Sequence, residues 1–132
     1  MANFSKKSLN KLSTCRQELQ DIFREVIKIY DCSILEGHRG QELQDKYFNE
    51  GKSKIKWPNG KHNSIPSEAV DVAPYPIDWN DSNRFFFLGG LVIGIASQMG
   101  HKIRWGRNWD GDNDFEDQKF NDSPHFEIII GG

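Results

Sequence analysis

The chain has 132 residues, enough for one domain with a single hydrophobic core. Its formal net charge of −2 argues against general affinity for nucleic acid, which requires a basic surface. The longest apolar stretch, residues 85–99, is interrupted by glycine and polar residues and is shorter than the ~18–20 residues of a membrane span. We therefore expect a monomeric protein of one domain, residues 1–132, that neither inserts into a membrane nor binds nucleic acid.

The N-terminal segment MANFSKKSLNKL contains lysines but no apolar signal core. We therefore expect no export signal and a protein that accumulates in the cytoplasm. The two cysteines, Cys15 and Cys32, match no zinc or redox spacing. In a reducing compartment they are expected to be free thiols, with a structural disulfide as the lesser alternative.

The first half of the chain contains one strongly amphipathic segment. Apolar residues recur at helical spacing from 19 to 29, which predicts a helix capped by Ser13 or Thr14 and running to about Tyr30. The pattern further predicts a short strand at 32–35, a helix at 40–48 and a loop at 52–66 that contains Pro and Gly.

The second half begins with an alternating strand at 69–73, in which Val70 and Val72 face one way and Asp71 the other. The remaining predicted elements are a helix at 83–99 capped by Asp81 or Ser82 and ended by Gly100, a strand at 102–105, a polar loop at 106–124 and a strand at 125–130. Because helices and strands do not alternate regularly, we predict an α+β domain with a small, mainly antiparallel sheet and packed helices.

Three polar side chains would converge if the two strands that carry Asp71 and His125 were neighbours. His125 begins the last predicted strand and shares a face with Glu127 and Ile129, and a loop could bring His62 above them. Zinc in hydrolases has three ligands of the His, Asp or Glu type and keeps one position for water. Taken singly, each residue also fits an ordinary role as a hydrogen-bonded histidine, a polar strand residue or a solvated loop residue.

The segments KHNSIPSEAVDVAPYPIDW and NDSPHFEI closely resemble the VanY/VanX-like zinc peptidases of peptidoglycan. That family includes D-Ala-D-Ala carboxypeptidases and phage L-alanyl-D-glutamate endopeptidases. Its usual form is S-x-H-x-x-G-x-A-x-D, whereas here Gly60 replaces the serine and the spacer before Asp71 is longer. The resemblance covers residues 35–130 and implies an LAS-type, hedgehog-like metallopeptidase fold with one zinc per chain, held by His62, Asp71 and His125.

The same resemblance implies roles for further residues. The family's catalytic acid/base lies three residues before the last histidine ligand, which is Asp122 here, with a simple turn residue as the alternative. The segment GHRGQELQ resembles the family's segment with an arginine and, five residues on, a glutamine. This assigns Arg39 to the catalytic centre and Gln44 to substrate binding, against the alternatives of a surface ion pair and a solvated helix face. Trp109 is expected to wall the substrate cleft.

Three alternating aspartates, Asp110, Asp112 and Asp114, resemble the start of a calcium loop. An EF-hand requires Gly at the sixth position and Glu at the twelfth, and here these positions are Phe115 and Asn121. Both a solvated acidic loop and a site for calcium or another second cation remain open.

The resemblance predicts a zinc peptidase that hydrolyses peptidoglycan stem peptides, most simply an L-alanyl-D-glutamate endopeptidase acting as a phage or prophage endolysin. A D-Ala-D-Ala carboxypeptidase and a non-catalytic, zinc-containing wall-binding relative are the alternatives. A His-Asn-His nuclease, suggested only by His62 and Asn63, lacks a second matching motif and a basic surface. We expect no separate wall-binding domain and expect the protein to reach the wall through a holin-type pore.

Overall fold

A four-stranded antiparallel sheet forms the framework of the computed structural model, which describes residues 2–106 and 122–130. The strand order is β1-β2-β4-β3, so the last strand in the chain lies between the second and the third. The elements are α1 (Lys6–Leu12), α2 (Gln17–Ile29), β1 (Cys32–Glu36), α3 (Gln41–Asn49), a 3₁₀ turn (Lys61–Asn63), β2 (Ala69–Pro74), α4 (Ser82–Gln98), β3 (Lys102–Gly106) and β4 (Asp122–Ile129). The α+β architecture with a small antiparallel sheet is confirmed.

The core lies between one face of this sheet and helices α2 and α4. Val70 and Val72 of β2 are fully buried there, as the alternation of the strand predicts. The helix α2 contributes the apolar stripe seen in the sequence, and its side chains Leu19, Ile22, Phe23 and Val26 are fully buried. The opposite face of β2 and β4 is therefore left for polar side chains.

The predicted start of α2 at Ser13 or Thr14 is wrong. Ser13 instead follows α1, a short helix that the sequence pattern did not predict, and α2 begins at Gln17. The reason is a tertiary contact, because the backbone of Thr14 and Arg16 is hydrogen-bonded to Ser67 on the approach to β2. These bonds, together with the bridge between Cys15 and Ser67, hold Cys15 and Arg16 out of helical geometry, so that the helix starts later.

Helix α4 agrees with its predicted bounds to within one residue. Asp81 caps it by accepting a hydrogen bond from the Arg84 backbone, and Gly100 ends it with a φ of 83°. Within α4, Gly89 lies against the indole of Trp105, where a Cβ atom would come within 2.6 Å of the ring. No helix among the described residues is long and apolar enough to cross a membrane.

The loop predicted at 106–124 is shorter at both ends. Gly106 belongs to β3 and pairs with Asp122, so β4 begins three residues before the predicted start at His125. The pairing of β3 with β4 is irregular between Trp105 and Gly106. Pro124, which has no N–H to donate, falls in this irregular stretch, where the strand continues without a ladder bond at that position. Asp122 accordingly lies on a strand and not in the turn that its sequence context suggests.

Candidate active site

His62, Asp71 and His125 converge on one point at the polar face of the sheet. The distance from His62 Nε2 to Asp71 Oδ1 is 3.2 Å, and that from His125 Nδ1 to the same oxygen is 3.3 Å. One potential ligand atom from each residue lies within 4.8 Å of the others. In the part of the chain that the structure describes, this is the one cluster of His, Cys, Asp or Glu that could hold a metal ion.

The two strand residues are brought together by the register of the sheet. Asp71 of β2 is the direct partner of His125 of β4, and both side chains project from the face opposite the buried valines. The third residue, His62, lies in the 3₁₀ turn Lys61–Asn63. The His62 carbonyl accepts a hydrogen bond from the Arg39 backbone at 2.7 Å, and its ring is bonded to the Gly37 carbonyl at 2.7 Å.

The hydrogen bonds of the two imidazoles show which nitrogen faces the cluster. A carbonyl only accepts, so His62 Nδ1 carries the proton and donates to Gly37, while Nε2 is directed at Asp71. In His125 the roles are exchanged, since Nε2 donates to Glu127 Oε1 at 2.9 Å and Nδ1 is directed at Asp71. Partners of this kind typically orient metal-binding histidines.

The charge pattern fits a bound cation. Two nitrogen lone pairs and a carboxylate oxygen at little more than 3 Å would repel each other unless a proton or a metal ion lay among them. Burial raises the pKa of Asp71, but hydrogen bonds and positive charge from His125 and His62, once their facing nitrogens are protonated, outweigh burial and hold the pKa well below its usual range. The set of two imidazoles and one carboxylate is of the type that zinc uses in hydrolases.

Arg39 lies beside this cluster in a network of charged groups. Its guanidinium donates to both oxygens of Glu36, at 3.2 and 2.7 Å, and lies 3.7 Å from Asp71 Oδ2. Burial lowers the pKa of Arg39, but Glu36 and Asp71 more than compensate and keep the side chain charged. The Tyr47 ring covers the guanidinium, with 4.7 Å from Cζ to the ring centroid.

Glu36 was not predicted to belong to the site. It faces Asp71 because β1 has a bulge between Ile34 and Glu36, so that Leu35 is the extra residue. Without the bulge, Leu35 would be the residue opposite Asp71. A sequence pattern gives no sign of such an irregularity, although the spacing of Glu36 and Arg39 is compatible with an ion pair.

Gln44 lines the cavity, but its amide is fully occupied by protein partners. Its oxygen accepts from Arg39 and Asn63, at 3.0 and 3.2 Å, and its nitrogen donates to Ser53 and to the Ile55 carbonyl, at 3.0 and 2.6 Å. An amide has two donors and two acceptor positions, so none is left for a substrate. The geometry therefore favours a positioning role over the direct substrate binding expected from the sequence.

The cluster lies at one wall of a cavity of about 730 Å³. This volume falls in the range of about 300–1,000 Å³ that is typical of small-molecule sites. The cavity is also lined by the basic side chains of Lys52, Lys54 and Lys61 and by the aromatic side chains of Tyr47 and Trp79. One wall of this cavity thus carries the cluster that could hold a metal ion, and three lysines add positive charge to its lining.

Several predicted residues lie outside the described part of the chain. These are Trp109 and the three aspartates Asp110, Asp112 and Asp114, so that the cleft wall and the calcium site stay predictions. The backbone of Asp122 is placed on β4, whereas its side chain is not described. Cys15 and Cys32 are free, as predicted, and both are buried.

Comparisons with known proteins agree with this geometry. The model of the phage L-alanyl-D-glutamate peptidase family matches residues 1–129. The chain belongs to this family. It is 31% identical over 134 aligned positions to the L-alanyl-D-glutamate peptidase of Escherichia phage T5, with 96% of this chain and 97% of that protein covered.

A solved structure shows the same fold. The L-Ala D-Glu endopeptidase ChiX of Serratia marcescens superposes with a TM-score of 0.78 over 96% of this chain and 90% of the other. The two sequences are 21% identical, so this likeness supports the fold alone. The predicted membership in a family of peptidoglycan peptidases is confirmed by the family model and by the phage T5 relative.

Proposed function

We propose that this protein is a zinc-dependent endopeptidase that cleaves the bond between L-alanine and D-glutamate in peptidoglycan stem peptides. The observation that carries the proposal is the convergence of His62, Asp71 and His125 on one wall of an open cavity, in a member of this peptidase family. When bound there, zinc would supply Lewis-acid polarisation of the scissile carbonyl and acidify a water molecule.

Arg39 would orient the substrate and stabilise negative charge on the carbonyl oxygen. A guanidinium has five N–H donors, and hydrogen bonds to Glu36 and Gln44 engage three of them. The remaining donors lie beside the metal cluster in a largely buried setting, where a hydrogen bond to a developing oxyanion has its greatest effect. The ion pair with Glu36 and the Tyr47 ring hold the group in place.

Asp122 would move the proton. A carboxylate three residues before His125 on β4 could take a proton from the attacking water and deliver it to the leaving amine. The position follows from the family pattern. The proton transfer is needed because the amine of D-glutamate leaves poorly without protonation.

The three ligands can be tested one by one. We expect His62→Ala, Asp71→Ala and His125→Ala each to lose both bound zinc and peptidase activity, measured by elemental analysis and by release of peptide from purified cell wall. His101→Ala, which removes a histidine outside the cluster, is the matched control and should retain both. Activity without a bound metal ion in the purified wild type would refute the metal centre.

Mass spectrometry of the products identifies the bond. Cleavage between L-alanine and D-glutamate leaves L-alanine on the glycan, whereas a D-Ala-D-Ala carboxypeptidase releases only a terminal alanine. A non-catalytic relative would release nothing. Exchange of zinc for other divalent ions in the metal-free protein would establish which metal supports turnover.

We further propose that the protein acts as a monomeric endolysin that is stored in the host cytoplasm and reaches the wall through a holin-type pore. Expression in bacteria should then be harmless until the membrane is permeabilised, and lysis should follow permeabilisation. Lysis by the wild type but not by His125→Ala would tie the effect to the proposed site. Lysis without permeabilisation would contradict the need for a pore.

A further inference from the structure

Trp79 is a large aromatic side chain that remains exposed at the cavity. Its relative exposure is 59%, although it lines the same cavity as the metal cluster. Trp105, by contrast, is fully buried in the core. An exposed tryptophan at the edge of a pocket is typical of a surface that binds a ligand, because its burial on binding releases a large apolar area from water.

The indole of Trp79 is held in a defined orientation. It stacks on the ring of Phe85 with a centroid distance of 5.5 Å and an interplanar angle of 19°. Phe85 is itself buried, in the first turn of α4. One indole face is therefore backed by a fixed ring, and the exposure of Trp79 must come from its other face and edges. Such an arrangement is a preformed flat platform that loses little entropy when a ligand binds.

We propose that this platform binds the amino sugar that carries the stem peptide. The inference rests on the proposed function, because L-alanine is the first residue of a stem peptide and its amine is linked to the glycan. The proposed scissile bond is therefore separated from the sugar ring by one residue, which spans at most about 3.6 Å, and by the short acyl group that joins this residue to the ring. With the scissile carbonyl at His62, Asp71 and His125, the sugar must lie at or just outside the cavity.

The chemistry of the two partners matches. A pyranose ring has an apolar face of C–H groups, and the face of an indole carries negative charge that attracts such hydrogens. The carbohydrate keeps its hydroxyl groups in water while the C–H face covers the indole. Trp79 is the exposed aromatic side chain that lines the cavity among the described residues, since Tyr75 and Phe87 are equally exposed but lie outside it.

The test compares two substrates that differ only in the sugar. One is a muropeptide with N-acetylmuramic acid on L-alanine, and the other is the same peptide with an acetyl group in its place. The quantity measured is the ratio of kcat/KM for the muropeptide to kcat/KM for the acetylated peptide. For Trp79→Ala this ratio should fall about tenfold relative to wild type, through KM on the muropeptide, since truncation of an anchoring aromatic side chain typically has an effect of this order.

Two further variants sharpen the result. Trp79→Phe keeps a flat ring and should retain most of the preference for the muropeptide, whereas Phe87→Ala removes an equally exposed ring outside the cavity and should leave the ratio as in wild type. A wild type that cleaves both substrates equally well would overturn the inference and leave the proposed function intact. An equal loss on both substrates in Trp79→Ala would also overturn it, since the platform would then serve the peptide. If the wild type cleaved neither substrate, the proposed function itself would fail.

Discussion

The imidazole of His125 and the carboxylate of Glu127 are hydrogen-bonded at 2.9 Å, two residues apart on the same face of β4. Burial raises the pKa of Glu127, but the hydrogen bond from His125 and the nearby positive charge outweigh it and hold the pKa below its usual value. The carboxylate is thus ionised and accepts from Nε2, which fixes Nδ1 toward Asp71. We propose that Glu127 positions His125 for its proposed role as a metal ligand.

We expect Glu127→Gln to weaken metal binding by about 10- to 100-fold, as is typical when a partner of a ligating histidine is lost. Affinity would be measured by competition with a chelator. Activity at saturating metal should recover to a large extent. The control is Arg104→Gln, which removes the cation 3.9 Å from Glu127 and should change metal affinity much less. A variant that holds metal normally but is inactive would make Glu127 the proton carrier.

Asp122→Asn keeps the shape of the side chain and removes its basicity. We expect metal content and thermal stability to be retained while turnover falls by at least about 100-fold, the lower range for general acid–base catalysis. Ser123→Ala, at the next position on β4, is the control and should remain active. Near-normal turnover of the Asn variant with metal bound would show that another group transfers the proton.

In the wild type the amide nitrogen of Gln44 lies 2.6 Å from the Ile55 carbonyl. Gln44→Glu replaces this nitrogen and its two N–H donors with an ionisable oxygen that faces the same carbonyl. Loss of buried hydrogen bonds should lower the free energy of unfolding by about 1–3 kcal/mol. The oxygen that accepts from Arg39 would remain, but its side chain would no longer be anchored through Ser53 and the Ile55 carbonyl, so kcat should fall more than KM rises. Gln98→Glu, an exposed change at the end of α4, is the matched control for both measurements. An inactive but fully stable variant with raised KM alone would instead indicate direct substrate contact.

Two adjacent glycines of α4 should respond in opposite ways to alanine. Gly89→Ala places a Cβ 2.6 Å from the Trp105 ring and should destabilise the protein by about 1–3 kcal/mol through overpacking. Gly90→Ala meets nothing within 4 Å and should stabilise the helix by up to about 1 kcal/mol. Urea unfolding of both variants provides the comparison, and equal effects would contradict the close contact of α4 with β3.

Because the thiols of Cys15 and Cys32 are buried, we predict that the protein loses stability at alkaline pH. Burial raises the pKa of Cys15 and of Cys32 to about 12, whereas an unfolded thiol ionises near the ordinary value. As pH rises above about 8.5, the thiols therefore lose their protons in the unfolded chain before they do so in the folded protein. Each thiol then lowers the free energy of unfolding by up to about 1.4 kcal/mol per pH unit, until the pH reaches the pKa of the folded state. A Cys15→Ala, Cys32→Ala double variant should show a shallower decline between these values. Identical slopes would mean that the thiols are not buried as described.

The strand alternation in the sequence correctly predicted which face of β2 carries Asp71. Period-two patterns are set by local geometry, so the buried Val70 and Val72 could be assigned without a structure. The pairing of Asp71 with His125 was predicted only on the condition that their two strands are neighbours, because the sequence does not give the strand order. The register then brought Asp71 opposite His125, as the expectation required.

Features that depend on tertiary contacts could not be predicted in this way. The bulge that turns Glu36 toward Asp71 and the bonds of Thr14 and Arg16 to Ser67 leave no local pattern in the sequence. Trp79 was also missed, because residue type alone does not distinguish an exposed aromatic platform from a core residue. Gln44 was found through family resemblance, but its occupied amide became evident only from the three-dimensional contacts.

The strand order has a consequence for the synthesis of this protein. A ribosome that has completed β3 has produced His62 and Asp71, yet the position between β2 and β3 is still empty because β4 is translated last. A chain that is truncated or clipped before β4 loses His125 and, at the same time, the hydrogen-bonding partner of two strands. Incomplete copies should therefore be unfolded and inert, so that hydrolytic capability arises in a single step with the finished fold.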